Sequence, residues 1–152
     1  MSPIWTHRIE NGPQRVYHAS AAVGHIIYSF GGYCNGEDYE SKPPIVVHSL
    51  NTNTLDWSLV PYRYDSMDDI PFNRYGHTVI ADGHRIYLWG GRNDEIACNV
   101  LFAFNSLTLK WSRPKVSGVT PDTCYRHSAT VCRKMYIFGG FYLHRFSQDV
   151  QS

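Results

Sequence analysis

The stretch RVYHASAAVGHIIYSFGGY, Arg15 to Tyr33, returns 59 residues later as RYGHTVIADGHRIYLWGGR, Arg74 to Arg92. Arg15 aligns with Arg74, His18 with His77, Gly24 with Gly83 and Tyr28 with Tyr87. The pair Gly31-Gly32 falls on Gly90-Gly91. A third copy, RHSATVCRKMYIFGGF (Arg126 to Phe141), keeps His127, Tyr136 and Gly139-Gly140. It is one residue shorter between His and Tyr, lacks the hairpin glycine, and has Cys124 where the others have arginine. Downstream, LNTNTLDW (Leu50 to Trp57) repeats as FNSLTLKW (Phe104 to Trp111), with Asn, Leu and Trp in register. Gapped matches that share one spacing mean a single supersecondary unit used several times.

Each copy reads as a four-stranded antiparallel meander. The first strand follows the histidine, at Ala19 to Val23 and Thr78 to Ala81. A tight turn comes next, at Gly24-His25 and at Asp82-Gly83, the latter an Asp-Gly pair suited to a type I′ hairpin. The second strand is a continuous apolar run: Ile26 to Phe30, Ile86 to Trp89, Met135 to Phe138. Such runs suit strands covered on both faces. The glycine pair is expected to end this strand where backbones crowd. The third strand is Ile45 to Leu50 or Val100 to Phe104, and the fourth carries Trp57 or Trp111. No stretch has a helical period. The outer-strand tryptophan is expected to cover the neighbouring sheet, and the histidine to bond backbone between sheets.

Sheets of this kind at a period near 50 residues point to propeller blades. Arg-x-x-His, the apolar run into Gly-Gly and the later tryptophan resemble kelch repeats, over nearly all of residues 15–140. The resemblance implies an all-β, kelch-type β-propeller, incomplete, with about two and a half blades. Blade 1 is placed at 15–60, blade 2 at 74–113 and a truncated blade 3 at 124–152. Residues 1–14, with a strand at Ile4 to Ile9, are expected to complete a last blade that is absent from the 152 residues. Closed propellers have about 4–8 blades, so a partial protein is expected, with exposed edges prone to association.

Composition agrees with β-structure. The chain is 43% apolar and 18% charged, with 11 Tyr, 7 Phe, 4 Trp, 12 Gly and 8 Pro. The formal net charge of +1 supplies no field to gather polyanions, which argues against direct nucleic-acid binding or an anionic membrane. No apolar run approaches a membrane span, and the N-terminus is too polar for a signal peptide. Cys34, Cys98, Cys124 and Cys132 form no C-x-x-C pair and no zinc spacing with two histidines. They read as free thiols in a cytoplasmic protein, with the nucleus as a second location, and Cys34 and Cys98 as inert. No nucleophile elbow, P-loop or H-E-x-x-H motif occurs, so neither enzyme activity, metal nor cofactor is expected.

In an up-and-down blade the loops after strands two and four share one end. Here they are long and unlike one another: Tyr33 to Pro44, Pro61 to Asn73, Arg92 to Cys98 and Lys115 to Tyr125. Binding concentrates on such loops. Arg15, Arg74, Arg92, Tyr33 and Tyr75 are the candidate ligand-binding residues, since arginine beside aromatic rings suits a peptide or a carboxylate. His18, His77, His127, the three glycine pairs, Trp57 and Trp111 recur with the repeat and are read as structural. The loops FGGYCNGEDYE (Phe30 to Glu40), LWGGRND (Leu88 to Asp94) and ACNVL (Ala97 to Leu101) carry the resemblance to the N-terminal blades of one kelch member. That implies part of a substrate receptor of a cullin-2 RING ubiquitin ligase, taking substrate C-terminal tails that end in glycine. Elongin and cullin-2 would bind through a helical box that nothing here resembles. The alternatives are a chromatin-associated kelch protein of meiotic recombination and a cytoskeletal kelch scaffold.

Overall fold

The computed structural model describes residues 12–142, 145–146 and 150–151. The strand expected at Ile4 to Ile9 lies outside them. The first sheet is β1 (Ala19–Val23), β2 (Ile26–Phe30), β3 (Val47–Asn51) and β4 (Asp56–Leu59), in that order and antiparallel throughout. The second repeats the order with β5 (Tyr75–Asp82), β6 (Arg85–Arg92), β7 (Phe102–Asn105) and β8 (Lys110–Ser112). The third begins with β9 (Ser128–Cys132) and β10 (Lys134–Phe138). A small hairpin of β11 (Phe141–Tyr142) and β12 (Arg145–Phe146) follows, and β13 (Val150–Gln151) then returns beside β10. Two four-stranded blades and part of a third make an incomplete β-propeller among the described residues. The hairpin has a shorter counterpart in the second copy, where Arg92 pairs antiparallel with Ala97 just after the glycine pair and Asn93 N–H donates to the Ile96 carbonyl at 3.0 Å; the loop sequences differ, so the repeat pattern gives no sign of it.

The β5–β6 turn differs from the expected one. Asp82 pairs with Arg85, so the turn residues are Gly83-His84 and not Asp82-Gly83. Gly83 has φ 58 and His84 stays at negative φ, the type II′ pattern with glycine first, as Gly24-His25 also has. In the third copy Arg133 alone turns the chain, at φ 60, which accounts for the missing residue and the missing glycine.

The glycine pair ends β2 but not β6. There β5 starts earlier, at Tyr75, so it supplies partners for Gly90 and Arg92 and the ladder continues. What Gly90 requires is space. A Cβ there would lie 2.5 Å from His127 Cε1 and 2.6 Å from the Cys124 carbonyl oxygen, both on the next repeat.

The main core lies between the first two sheets. Phe30, Ile45, Val47, Ile86, Leu88, Phe104 and Trp111 are all fully buried. Trp111 of the second sheet sits 5.7 Å, centroid to centroid, from Phe30 of the first and 5.1 Å from Phe104. The outer-strand tryptophan thus covers the neighbouring sheet, as its spacing implied. Each such side chain contributes about 2–3 kcal/mol of burial energy. A smaller cluster of Trp89, Cys124 and Ile137 joins the second sheet to the third. On β10 the pattern alternates: Ile137 faces that cluster, whereas Tyr136 and Phe138 are exposed. The two-sided burial expected of the second strand therefore holds for β2 and β6 and fails for β10, whose far face has no sheet against it among the described residues.

The inner strands β1, β5 and β9 are neighbours, and backbone ties link them. Tyr17, Gly76 and Arg126, each just before a repeat histidine, all have positive φ (55, 68 and 59). Gly76 N–H donates to the Tyr17 carbonyl (2.9 Å) and Arg126 N–H to that of Gly76 (2.7 Å). Gly32 and Gly91 N–H donate in the same way to the Arg74 and Cys124 carbonyls, both at 2.8 Å. The sheets are joined by backbone, and the histidines add contacts of their own. His127 is within hydrogen-bond distance of the Thr78 hydroxyl on β5, 2.7 Å from Nε2. The expected contact to backbone is found at His77, on which the Phe30 backbone of the first sheet acts, and the Cε1 atoms of His77 and His127 lie against Gly31 and Gly90.

Candidate interaction face

The two ends of the sheets are built differently. At one end the β1–β2 and β3–β4 turns touch: Thr52 donates from N–H and hydroxyl to the His25 carbonyl, both at 2.9 Å. Ser106 does the same to His84 in the second sheet. At the other end the long loops are tied to one another. Asn73 N–H donates to the Pro43 carbonyl (2.6 Å), and Asp94 N–H to that of Tyr39 (3.2 Å). The face these loops form is therefore a fixed surface.

An aromatic cluster lies on this face. Tyr33 stacks on Tyr39 at 5.0 Å, and Tyr75 meets both rings edge-on at 5.8 and 5.9 Å. The Tyr75 hydroxyl donates to Asp94 Oδ1 at 2.9 Å. Burial, then the Asp94 carboxylate, raises the Tyr75 phenol above its ordinary pKa. Arg92 donates from Nε to the Asn93 carbonyl and from Nη2 to the Asp94 carbonyl, each at 2.7 Å. Its guanidinium lies 5.3 Å from the Tyr125 ring centre. It borders a cavity of about 320 Å³ with Glu95, Thr123, Tyr125 and Phe141 among the lining residues. Tyr33, Tyr75 and Arg92, singled out from the sequence, thus lie together.

Arg15 reaches the same cluster but is already engaged. Its guanidinium grips Glu37 with two bonds, 2.9 Å from Nη1 and 2.5 Å from Nη2. The Tyr39 hydroxyl bonds the same carboxylate and the Gly32 carbonyl, both at 2.9 Å. The bond from Arg15 holds the Glu37 carboxyl below the usual carboxylate range. Arg74, its repeat counterpart, lies away from the cluster and is fully buried. It donates from Nε to the Phe72 carbonyl (3.0 Å) and from Nη1 to the Gly90 carbonyl (3.2 Å), and lies 3.9 Å above the Phe72 ring. Burial lowers its pKa. Both partners belong to its own repeat and its approach loop, so it braces its own sheet.

Two members of the cluster went unnoticed in the sequence. Tyr125 stands two residues before His127, as Tyr75 stands two before His77, so the alignment contained the signal. Tyr39 sits in a non-repeating loop and carries none. Among the described residues, no group of three or more His, Cys, Asp and Glu is placed to hold a metal ion.

A partial propeller with aromatic and arginine side chains gathered on its long-loop face is a protein-interaction scaffold. A family model described as the KLHDC2/KLHL20/DRC7 Kelch-repeats domain matches residues 17–152, and the chain belongs to the kelch-repeat family. It is 52% identical over 143 residues to Kelch domain-containing protein 3 of Bos taurus, covering 90% of this chain and 37% of that protein. The Homo sapiens protein of the same name is 48% identical over 154 residues, with coverage of 96% and 40%. Host cell factor 1 of Rattus norvegicus is 30% identical over 152 residues, covering 87% of this chain and 7% of that protein. The chain thus spans well under half of the relatives it resembles. It is a kelch-repeat interaction module related to Kelch domain-containing protein 3.

Proposed function

We propose that this module is part of a substrate receptor of a cullin-2 RING ubiquitin ligase, and that its long-loop face contributes to holding substrate C-terminal tails ending in glycine. The observation carrying the reading is the grouping of Tyr33, Tyr75, Arg92 and Tyr125 on one fixed surface beside an open cavity. Aromatic rings supply apolar contact at low entropic cost, and arginine supplies donors for a carboxylate. Arg92 is the ligand-facing cation, because Arg15 is neutralised by Glu37 and Arg74 is buried. Similarity to Kelch domain-containing protein 3 extends through these loops and supports the same reading. The setting is cytoplasmic or nuclear, and the bridge to elongin and cullin-2 is made outside residues 12–142.

The test is fluorescence anisotropy with labelled peptides ending in glycine and with their C-terminal amides, on a protein carrying this module with its remaining blades. The free carboxylate is expected to bind at least about tenfold more tightly, as one charge-assisted arginine contact supplies, and Arg92→Ala to remove most of that preference. Equal binding of acid and amide would overturn the reading.

A further inference from the structure

A second cavity, of about 420 Å³, opens between the β4–β5 and β6–β7 loops and touches the Arg92 cavity at Ala97. Phe72, Val100 and Phe102 form part of its wall, together with Arg74 and Cys98. Lys42 and Asp68 are the other charged groups lining it. Arg74 is fully buried; its Nη2 meets no oxygen acceptor, and the Cys98 side chain lies in hydrogen-bonding contact with the guanidinium. No carboxylate pairs with this guanidinium among the described residues. A buried cation with no carboxylate against it is a costly arrangement that an incoming anion relieves.

Cys98 faces the same space. Its Sγ accepts the Val100 N–H at 3.4 Å. The other buried thiol is held the opposite way: Cys124 Sγ donates to the Gly139 carbonyl at 3.3 Å. What distinguishes Cys98 is its neighbour: the sulfur lies against the Arg74 guanidinium, a positive charge of the kind that activates a thiol. The sequence alone marked Cys98 as inert. Its position beside the Arg74 guanidinium supports a different reading.

We propose that Cys98 is a covalent modification site for small soft electrophiles that carry a carboxylate. The carboxylate sits toward Arg74 Nη2 and Lys42. The Cys98 thiolate attacks the electrophilic carbon, a C–S bond forms, and the leaving group departs with the bonding electron pair. The thiol proton goes to solvent. The site is independent of the tail-binding reading above.

The probes are iodoacetate and iodoacetamide, which share an electrophilic carbon and an iodide leaving group but differ in charge. Labelling at each cysteine is followed by peptide mass spectrometry, on the folded chain and on the chain unfolded in urea. Cys98 is expected to react in the folded chain. Its iodoacetate-to-iodoacetamide rate ratio should exceed that of the unfolded chain by about fivefold, the effect of one net positive charge at about 4 Å in a water-like medium. Lys42→Gln, a change on the exposed rim, should reduce that excess, and Cys98→Ser should remove the label. Labelling of Cys98 in urea alone would overturn the proposal. So would a folded-state ratio equal to the unfolded one, since that is what reaction through global unfolding produces.

Discussion

Acidification from about pH 7.5 to about pH 5 should destabilise this protein by about 4 kcal/mol through two histidines. His77 and His127 are buried in the gaps between sheets, 4% and 8% exposed. Burial, and then the charge of Arg74, pushes His77 down to about 3; burial pushes His127 down to about 4. In the unfolded chain each titrates near about 6.5. Because the folded pKa values are depressed, the unfolded state binds more protons, and stability falls as pH falls. The loss begins near the unfolded value and is complete only once the pH has passed through about 4 for His127 and about 3 for His77. At about pH 5 each unfolded histidine lies about 1.5 units below its pKa, which at about 1.4 kcal/mol per unit is about 2 kcal/mol per residue. Burial lowers His48 as well, and it adds in the same sense. Stopping near pH 5 keeps the measurement above the range where carboxylates such as Glu37 titrate. The assay is urea unfolding followed by fluorescence of the buried Trp89 and Trp111. His127→Gln should halve the pH dependence, since it removes one of the two groups. Stability unchanged over this interval, or an equal drop in His127→Gln, would refute the reasoning.

Two further outcomes are expected in the same assay. Gly90→Ala should cost more than about 3 kcal/mol, because the new Cβ meets the Cys124 carbonyl and His127, and backbone cannot yield cheaply. Gly83→Ala, with nothing within 4 Å of its Cβ, should cost only the left-handed backbone penalty of about 1–2 kcal/mol; equal losses would contradict the packing account. Trp111→Ala should cost about 4 kcal/mol, since its ring fills the space between the first two sheets, whereas Leu107→Ala on an exposed turn should stay within about 0.5 kcal/mol.

The scaffold was legible because its constraints are local. The strand order and the role of Trp111 follow from residue types at fixed spacing, whereas the one-sided burial of β10 depends on what packs beside it. Errors arose where one residue sets the geometry. The Gly83-His84 turn was displaced by one position, since an Asp-Gly dipeptide fits the I′ hairpin in isolation and only the Asp82–Arg85 pairing decides the register. The β11–β12 hairpin was invisible because the loops at this place share geometry but not sequence: Arg92 pairs with Ala97 in the second copy as Phe141 pairs with Phe146 in the third. On the candidate face, the meeting of Tyr33 with Tyr75 was foreseeable from the up-and-down order of strands, and Tyr125 from its alignment with Tyr75.

Arg15 and Arg74 separate the two kinds of information. They hold the same place in the repeat, and the sequence treats them alike. Folded, Arg15 is paired with Glu37, 22 residues on in a loop that does not repeat. Arg74 is buried against Phe72 with no carboxylate partner, beside Cys98. The recurring spacing dictates backbone path and core contacts, because these depend on strand period, turn chemistry and volume at each position. Charge partners, cavities and the chemistry they allow come from loops whose sequences differ from copy to copy. Only the packing of those loops against one another decides which arginine is neutralised and which is buried.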